Sequence, residues 1–223
     1  YAIDLPKPLT SDDFHEVDMK KVKIGRLLFH DKILSANRNI ACATCHSHEL
    51  GGSDGLSLGI GEGGKGVGLN RTAGIGKDKI KKRIPRNSLA LWNLGFKEIT
   101  TLLHDGRVTK SNIFSNNFNT PAQEALPKGL DNIVAVQALF PMTRQFEMAG
   151  NPGENEIIGL VSKVGKDSMR IDAVWPVITD RIRAIPEYVE LFKSTFDDVD
   201  SSLDIDITHI VNSIAAFEIH EWT

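Results

Sequence analysis

The sequence predicts a mainly α fold with long glycine-rich loops, and three observations predict it. Apolar residues recur at helical spacing near the front of the chain and through its last third, the strongest stripe being Ile207, Ile210, Val211, Ile214 and Phe217. No stretch shows sustained period-two alternation, and nothing repeats. Between the helical regions lie a glycine-rich segment, residues 51–76, and an Asn-, Ser- and Pro-rich segment, residues 111–133, that carry neither period. With 223 residues the chain can bury a core of its own. The expected organisation is an N-terminal arm, residues 1–17, and one domain, residues 18–223.

In chain order, the arm is polar, with Pro6, Pro8 and Ser11-Asp12-Asp13. Asp18 opens an amphipathic helix with Val22, Leu27 and Leu28 near one face, ending about His30-Asp31. Residues 33–37 turn the chain. Pro85 to Ser88 opens a short helix over Leu89 to Leu94, and Leu103 to Arg107 forms a turn. A helix from Ile133 to Leu139 stops near Pro141, and Asn151-Pro152-Gly153 is a breaker. Helices then cover Asn155 to Val164, Val174 to Ile185 and Pro186 to Phe192, with Pro186 in the favoured first turn. The last helix carries the stripe from Ile207.

Charged residues make up 25% and hydrophobic residues 41%, as in ordinary globular proteins. A net charge of -3 argues against a nucleic-acid or anionic-membrane partner, and no apolar run is long enough for a membrane span.

The two cysteines sit in Cys42-Ala43-Thr44-Cys45-His46. This is the C-x-x-C-H pattern of covalent haem c attachment, in which two thiols add to the haem vinyl groups and the next histidine reaches the iron. A redox C-x-x-C would want a thioredoxin-like βαβ context and a zinc site a second pair of ligands; the sequence offers neither. The expectation is a cytochrome c-type haem domain carrying one covalent haem c, with Cys42 and Cys45 as thioethers, His46 as proximal ligand and no disulfide. Haem c is attached outside the bacterial cytoplasm, so a periplasmic protein is expected. The chain opens at Tyr1 without an initiator Met, as a processed protein would.

After His46, Gly59 to Gly64 forms a G-x-G-x-x-G and nearly a phosphate loop, but no strand precedes it, so nucleotide binding is not the reading. A loop passing close to a flat ligand is expected instead. The basic stretch from Lys77 to Arg86 reads as a solvated loop, with a redox-partner patch or a propionate contact as its functional alternative.

The residues also resemble a family, the bacterial dihaem cytochrome c peroxidases, including the related dihaem enzyme that matures methylamine dehydrogenase. The resemblance is carried by Ile24 to Phe29, Leu34-Ser35, Cys42 to His46, Gly51 to Leu56, Pro85 to Ser88, Asp105-Gly106-Arg107, and Gln137 with Glu147-Met148, in the family's order. It implies that this chain is similar to the N-terminal, peroxidatic domain. The implied partners are hydrogen peroxide, a small redox protein as electron donor, and a second haem domain outside this chain. Glu147 matches the distal acid–base glutamate and Gln137 the distal glutamine. Asn87 matches a calcium ligand whose partners come largely from the second domain. Glu62 stands where activated peroxidases place a loop histidine on the iron; it would be a weak sixth ligand at most, and an open distal face is expected. His104 replaces the usual tryptophan before Asp-Gly-Arg, which weakens the inter-haem route.

Three functions compete. One is a peroxide-dependent haem oxidoreductase, reducing peroxide or using it to oxidise a partner. The second is a single-haem electron-transfer cytochrome, its iron fully ligated by His46 with Met142, His104 or Glu62. The third is a haem sensor or interaction domain. Gln137 and Glu147 favour the first, having no purpose in an electron carrier. His48 is expected to be exposed; His15, His30, His209 and His220 read as surface or helix-face residues, and Met142 and Met148 as packing residues.

Overall fold

The computed structural model describes residues 6–162 and 170–223, and among them seven helices surround one hydrophobic core. They are α1 (Met19–His30), the single turn α2 (Cys42–Cys45), α3 (Ile133–Ala138), α4 (Glu156–Ser162), α5 (Val174–Arg183), α6 (Pro186–Lys193) and α7 (Ile207–Glu221). The expected mainly α class is what is observed. Val164, the expected end of α4, lies outside the described residues.

The fold is centred on the crossing of α1 and α7. Asp18 caps α1 by accepting the Lys20 amide at 2.7 Å. Asp206 caps α7 by accepting the Thr208 and His209 amides. Val22, Ile24, Leu28 and Phe29 face inward, while Leu27 is exposed rather than on the buried face. The helices meet at Gly25: a Cβ there would lie 1.8 Å from the Ser213 carbonyl oxygen, so only glycine permits this backbone approach. His209, read as a helix-face residue, is buried, and its Nδ1 accepts the Asp206 amide at the head of α7.

The loops hold more structure than the sequence suggested. Phe14 bridges Phe96, and the His15 and Lys97 amides bond across to Gly95 and Asp13, so the expected arm is docked at residues 13–15. Leu103 to Arg107 does turn, but between β1 (Thr101–Leu102) and β2 (Val108–Lys110); β3 (Phe118–Asn119) completes an antiparallel sheet in the order β1-β2-β3. Strands of two or three residues are too short for alternation to show. Leu89 to Leu94 is not a helix. Asn93 adopts φ 59° and its amide bonds the Trp222 carbonyl at 2.7 Å, so a contact with the end of α7 overrides local preference.

One side chain and one backbone bond fix the approach to the cysteine motif. Arg181 on α5 donates to the carbonyls of Ile33, Ser35 and Ala36 and to Glu156. The Ala36 amide in turn bonds the Met148 carbonyl at 2.9 Å, joining this approach to the segment that carries Glu147.

Candidate functional site

A cavity of about 430 Å³ opens beside the cysteine motif. The helical turn α2, closed by the His46 amide on the Cys42 carbonyl at 3.0 Å, presents Cys42, Cys45 and His46 along its wall. Leu91, Leu94, Leu102, Val134, Met148 and Ile214 supply apolar walls, and Arg86, Asn87, His104, Arg107, Arg144 and Glu147 a polar side. The structure therefore brings together six of the seven expected site residues: Cys42, Cys45, His46, Asn87, Gln137 and Glu147.

The thiol donors and the imidazole suit haem c. His46 Nδ1 lies 2.6 Å from the Gly52 carbonyl oxygen. A carbonyl only accepts, so Nδ1 carries the proton and Nε2 keeps its lone pair for a metal. Burial pushes the His46 pKa down, against an upward pull from the Gly52 carbonyl, Asp54 and the Leu89 carbonyl, which favours the neutral ring an iron ligand needs. Burial raises both thiols, Cys45 to about 11 and Cys42 further. Neither resembles the acidified thiol of a redox C-x-x-C. Among the described residues no group of three or more His, Cys, Asp or Glu could hold a metal ion, which also leaves the zinc reading without partners.

Glu147, also on the cavity wall, sits in a single π turn, Gln145–Ala149, where the Arg144 carbonyl accepts the amides of Glu147, Met148 and Ala149. Glu147 keeps some accessible surface, as a cavity-lining group does, but burial pushes its pKa up to about 7, with Arg144 and Arg107 pulling the other way. Gln137, on α3, makes no side-chain hydrogen bond among the described residues and is free to bind a guest in the cavity.

Residues 47–83 do not line the cavity, so the glycine-rich loop does not pass over a flat ligand there. It supports the π turn from behind. A Cβ on Gly61 would sit 2.1 Å from the Phe146 carbonyl oxygen and 2.9 Å from Glu147 Cα, and the Glu62 amide bonds that same carbonyl at 3.1 Å. Glu62 is buried away from the cavity, where its Oε1 accepts from Asn37 at 2.9 Å and Asn39 at 2.6 Å. This geometry offers the iron no Glu62 oxygen. Asn87 lies at the exposed rim with its side chain on the Ser88 carbonyl, and His104 is exposed at the mouth. Met142 and Met148 are both buried along the wall. The basic residues Lys77, Lys79, Lys81, Lys82 and Arg83 are exposed, and Arg86 alone of that stretch joins the polar residues of the cavity wall.

Three lining residues had no role in the sequence reading. Arg107 lies in the Asp-Gly-Arg turn, ion-paired with Asp105 and close enough to Glu147 to bear on its charge. Arg144 bears on the same carboxyl. Glu218 lines the cavity from α7, and burial alone pushes its pKa up to about 8. Its spacing of one helical turn from Ile214 in the apolar stripe was the available signal.

Comparison with known proteins shows what the chain is similar to. Cytochrome c peroxidase Ccp of Escherichia coli is 49% identical over 47 residues, 21% of this chain and 10% of that protein. Methylamine utilization protein MauG of Methylorubrum extorquens is 48% identical over 44 residues, 20% of this chain and 12% of that protein. A crystal structure of a MauG-like protein associated with microbial copper homeostasis superposes with a TM-score of 0.52 at 21% identity, over 100% of this chain and 47% of that one, a likeness of fold. The chain thus spans about half of that solved protein and matches about a tenth of each curated relative's length. The profile of the di-haem cytochrome c peroxidase family matches residues 19–222, nearly the whole chain. By that match the chain belongs to the di-haem cytochrome c peroxidase family.

Proposed function

We propose that this chain is the peroxide-reacting haem c domain of an oxidoreductase, with Cys42 and Cys45 holding the haem, His46 as proximal ligand and an open distal face. The observation that carries the reading is the desolvated carboxyl of Glu147 on the same cavity as His46. Haem, when bound, supplies an iron that can take peroxide and exchange electrons. The chain's part is to move a proton. The Glu147 carboxylate accepts the proton of one peroxide oxygen and returns it to the departing oxygen, so that water rather than hydroxide leaves. A group whose pKa lies near 7 can do both at neutral pH. Arg107 and Arg144 favour its ionised form, and the Gln137 amide orients the peroxide.

The electrons come from a small redox protein, directly or through a second haem domain outside this chain, or from a partner protein that becomes oxidised as it gives them up. A calcium at Asn87 would take further ligands from outside the chain. The protein works in the periplasm; among the described residues no helix is long and apolar enough to cross a membrane. The electron-carrier reading keeps one supporting observation, the buried Met142 on the cavity wall. A ferric spectrum of methionine–histidine ligation would favour it.

Glu147→Gln tests the reading. Stopped-flow formation of the oxidised intermediate should slow by at least about tenfold, while haem attachment and the resting spectrum stay as they are. The wild-type rate should rise with pH through about 7 as the carboxyl ionises, and the variant should lose that rise. Equal rates in wild type and variant would move the acid–base role elsewhere.

A further inference from the structure

Among the described residues two carboxyls line the cavity, and the proton transfer assigned to Glu147 uses one of them. The other is Glu218, one helical turn beyond Ile214 on α7. It keeps 9% of its surface, and its carboxyl makes no hydrogen bond or ion pair among the described residues. An apolar residue at this position would extend the stripe of Ile210, Ile214 and Phe217 without taking a carboxyl out of water. An unpartnered acid that faces a cavity calls for a partner in the cavity.

The protein around it supplies none. The buried residues of α1, α3 and α5, the long neighbours of α7, are all uncharged. On α7 itself, His209 pairs with Asp206, Glu221 pairs with His48, and His220 is exposed. On the cavity wall, Arg107 and Arg144 bear on Glu147, Arg86 and His104 lie on the polar side, and Asp54 is the charge that bears on His46. The group that feels Glu218 is the Cys42 thiol on α2. Haem attachment turns the thiols of Cys42 and Cys45 into thioethers, which hold no proton. Glu218 is then left facing the guest alone. That guest has a charge that changes: ferric haem carries one more positive charge than ferrous, so a nearby carboxyl ionises more readily beside the ferric form.

We propose that Glu218 is the redox-linked proton site of this chain, binding one proton as the haem held by Cys42, Cys45 and His46 gains one electron and releasing it when that electron leaves. The step balances as ferric haem, the Glu218 carboxylate, one electron from a one-electron reductant and one proton from water, giving ferrous haem and the neutral acid. The charge enclosed by the cavity is then the same before and after, which a water-poor site favours. Burial pushes the carboxyl up to about 8, within reach of neutral pH. The proposal rests on the haem reading of Cys42 to His46 and not on Glu147.

The test is potentiometric and adds no peroxide. In the Glu147→Gln holoprotein Glu218 is the remaining carboxyl that the chain puts on the cavity wall. The haem reduction potential should fall as pH rises through about 8, where the ferrous form keeps the proton and the ferric form has lost it. The limiting slope is a tenfold change in the ferric-to-ferrous equilibrium per pH unit, or 59 mV for one electron. Adding Glu218→Gln should remove that fall and hold the potential at its acid-side value. A fall of equal size with and without Glu218→Gln would overturn the proposal, since another group would carry the proton. So would a flat potential in both, because Glu218 would then keep its proton in a fixed bond. If Gln at 218 blocks haem uptake, infrared difference spectra of the Glu147→Gln holoprotein near pH 8 decide. Oxidation should bleach the carbonyl stretch of a protonated carboxylic acid and raise carboxylate bands; no bleach would overturn the proposal. A Glu218-dependent fall beside an unslowed peroxide reaction in Glu147→Gln would overturn the acid–base reading and leave this one standing; the converse pair of results would do the opposite.

Discussion

The two sides of the cavity are built by opposite means. The His46 side rests on α1 and α7, whose backbones touch at Gly25 and Ser213 and whose buried faces enclose Phe29, Ile214 and Phe217. The Glu147 side has a five-residue π turn, the six-residue α3, strands of two or three residues and a glycine-rich loop packed behind them. Regular helices fix Cys42, Cys45 and His46 through burial. The Glu147 carboxyl is fixed instead by a few contacts to the backbone between distant segments: Gly61 on Phe146, Ala36 on Met148, Arg181 on residues 33–36. Stability should therefore reside on the first side and chemistry on the second, and substitutions can separate them.

The largest effect is expected at the crossing. Gly25→Val would place its side chain where the Ser213 carbonyl lies, so the helices must part and every contact along the seam loosens. Overpacking of this kind costs about 3 kcal/mol or more when backbone rather than a flexible side chain is in the way. The denaturant midpoint should fall accordingly and haem incorporation with it. A variant of wild-type stability would show that the seam can slide, and the contrast between the two sides would weaken.

Next come the buried acids, one from each side. Burial raises both, but Glu147 has Arg144 and Arg107 to offset it, whereas Glu218 on α7 has no compensating group among the described residues. A carboxyl raised in the folded state binds protons there that the unfolded chain has released. Its contribution to stability is complete below the ordinary pKa of 4.5 and is lost as pH rises to the folded value, about 8 for Glu218 and about 7 for Glu147. Glu218→Gln removes this loss. Above pH 8 the variant should be more stable than wild type by an amount on the order of a few kcal/mol, and the two should converge toward pH 4. Urea midpoints measured across that range check it. A constant difference at every pH would mean that Glu218 ionises normally. The same comparison at Glu147 should give a smaller gap, complete by about pH 7.

How much of this was legible in the sequence follows the same division. Cys42, Cys45 and His46 are a local pattern whose chemistry is set by spacing, and α1, α3 and α5 to α7 carry periodic apolar faces, so both could be read directly. Glu147 and Gln137 were reachable only through the family resemblance, because nothing within ten residues of either says that they share a cavity with residue 46. Leu89 to Leu94 misled for a related reason: its composition suits a helix, but the Asn93–Trp222 bond lies 129 positions away in sequence and imposes a turn. The glycine-rich loop was read as clearance for a ligand, whereas its tightest clearance is for the backbone of Phe146 and Glu147. Glycine records that something passes close; it does not record what.

The smallest effect is expected at Glu62. Its place in the loop suggested an oxygen ligand, but its side chain is held on the far side of the π turn by Asn37 and Asn39 and does not reach the cavity wall. Its second oxygen, Oε2, is buried and has no hydrogen-bond partner among the described residues. Glu62→Gln keeps a carbonyl oxygen for both asparagine amides and puts an NH₂ where that unpartnered oxygen was. Exchanging a carboxyl acceptor for an amide acceptor weakens those two bonds by about 1 kcal/mol, and removal of the unpartnered buried oxygen offsets part of that loss. Stability should therefore change by about 1 kcal/mol or less. The resting ferric spectrum should not change, because the carboxyl does not line the cavity, and the peroxide rate should stay within about twofold of wild type since the Glu62 amide, not its side chain, carries the bond to Phe146. A spectrum that shifts from low spin toward high spin in Glu62→Gln would mean that the loop turns over when haem binds and brings the carboxyl to the iron. That result would make the distal side a moving part rather than a fixed scaffold, and would reverse the assignment of an open face.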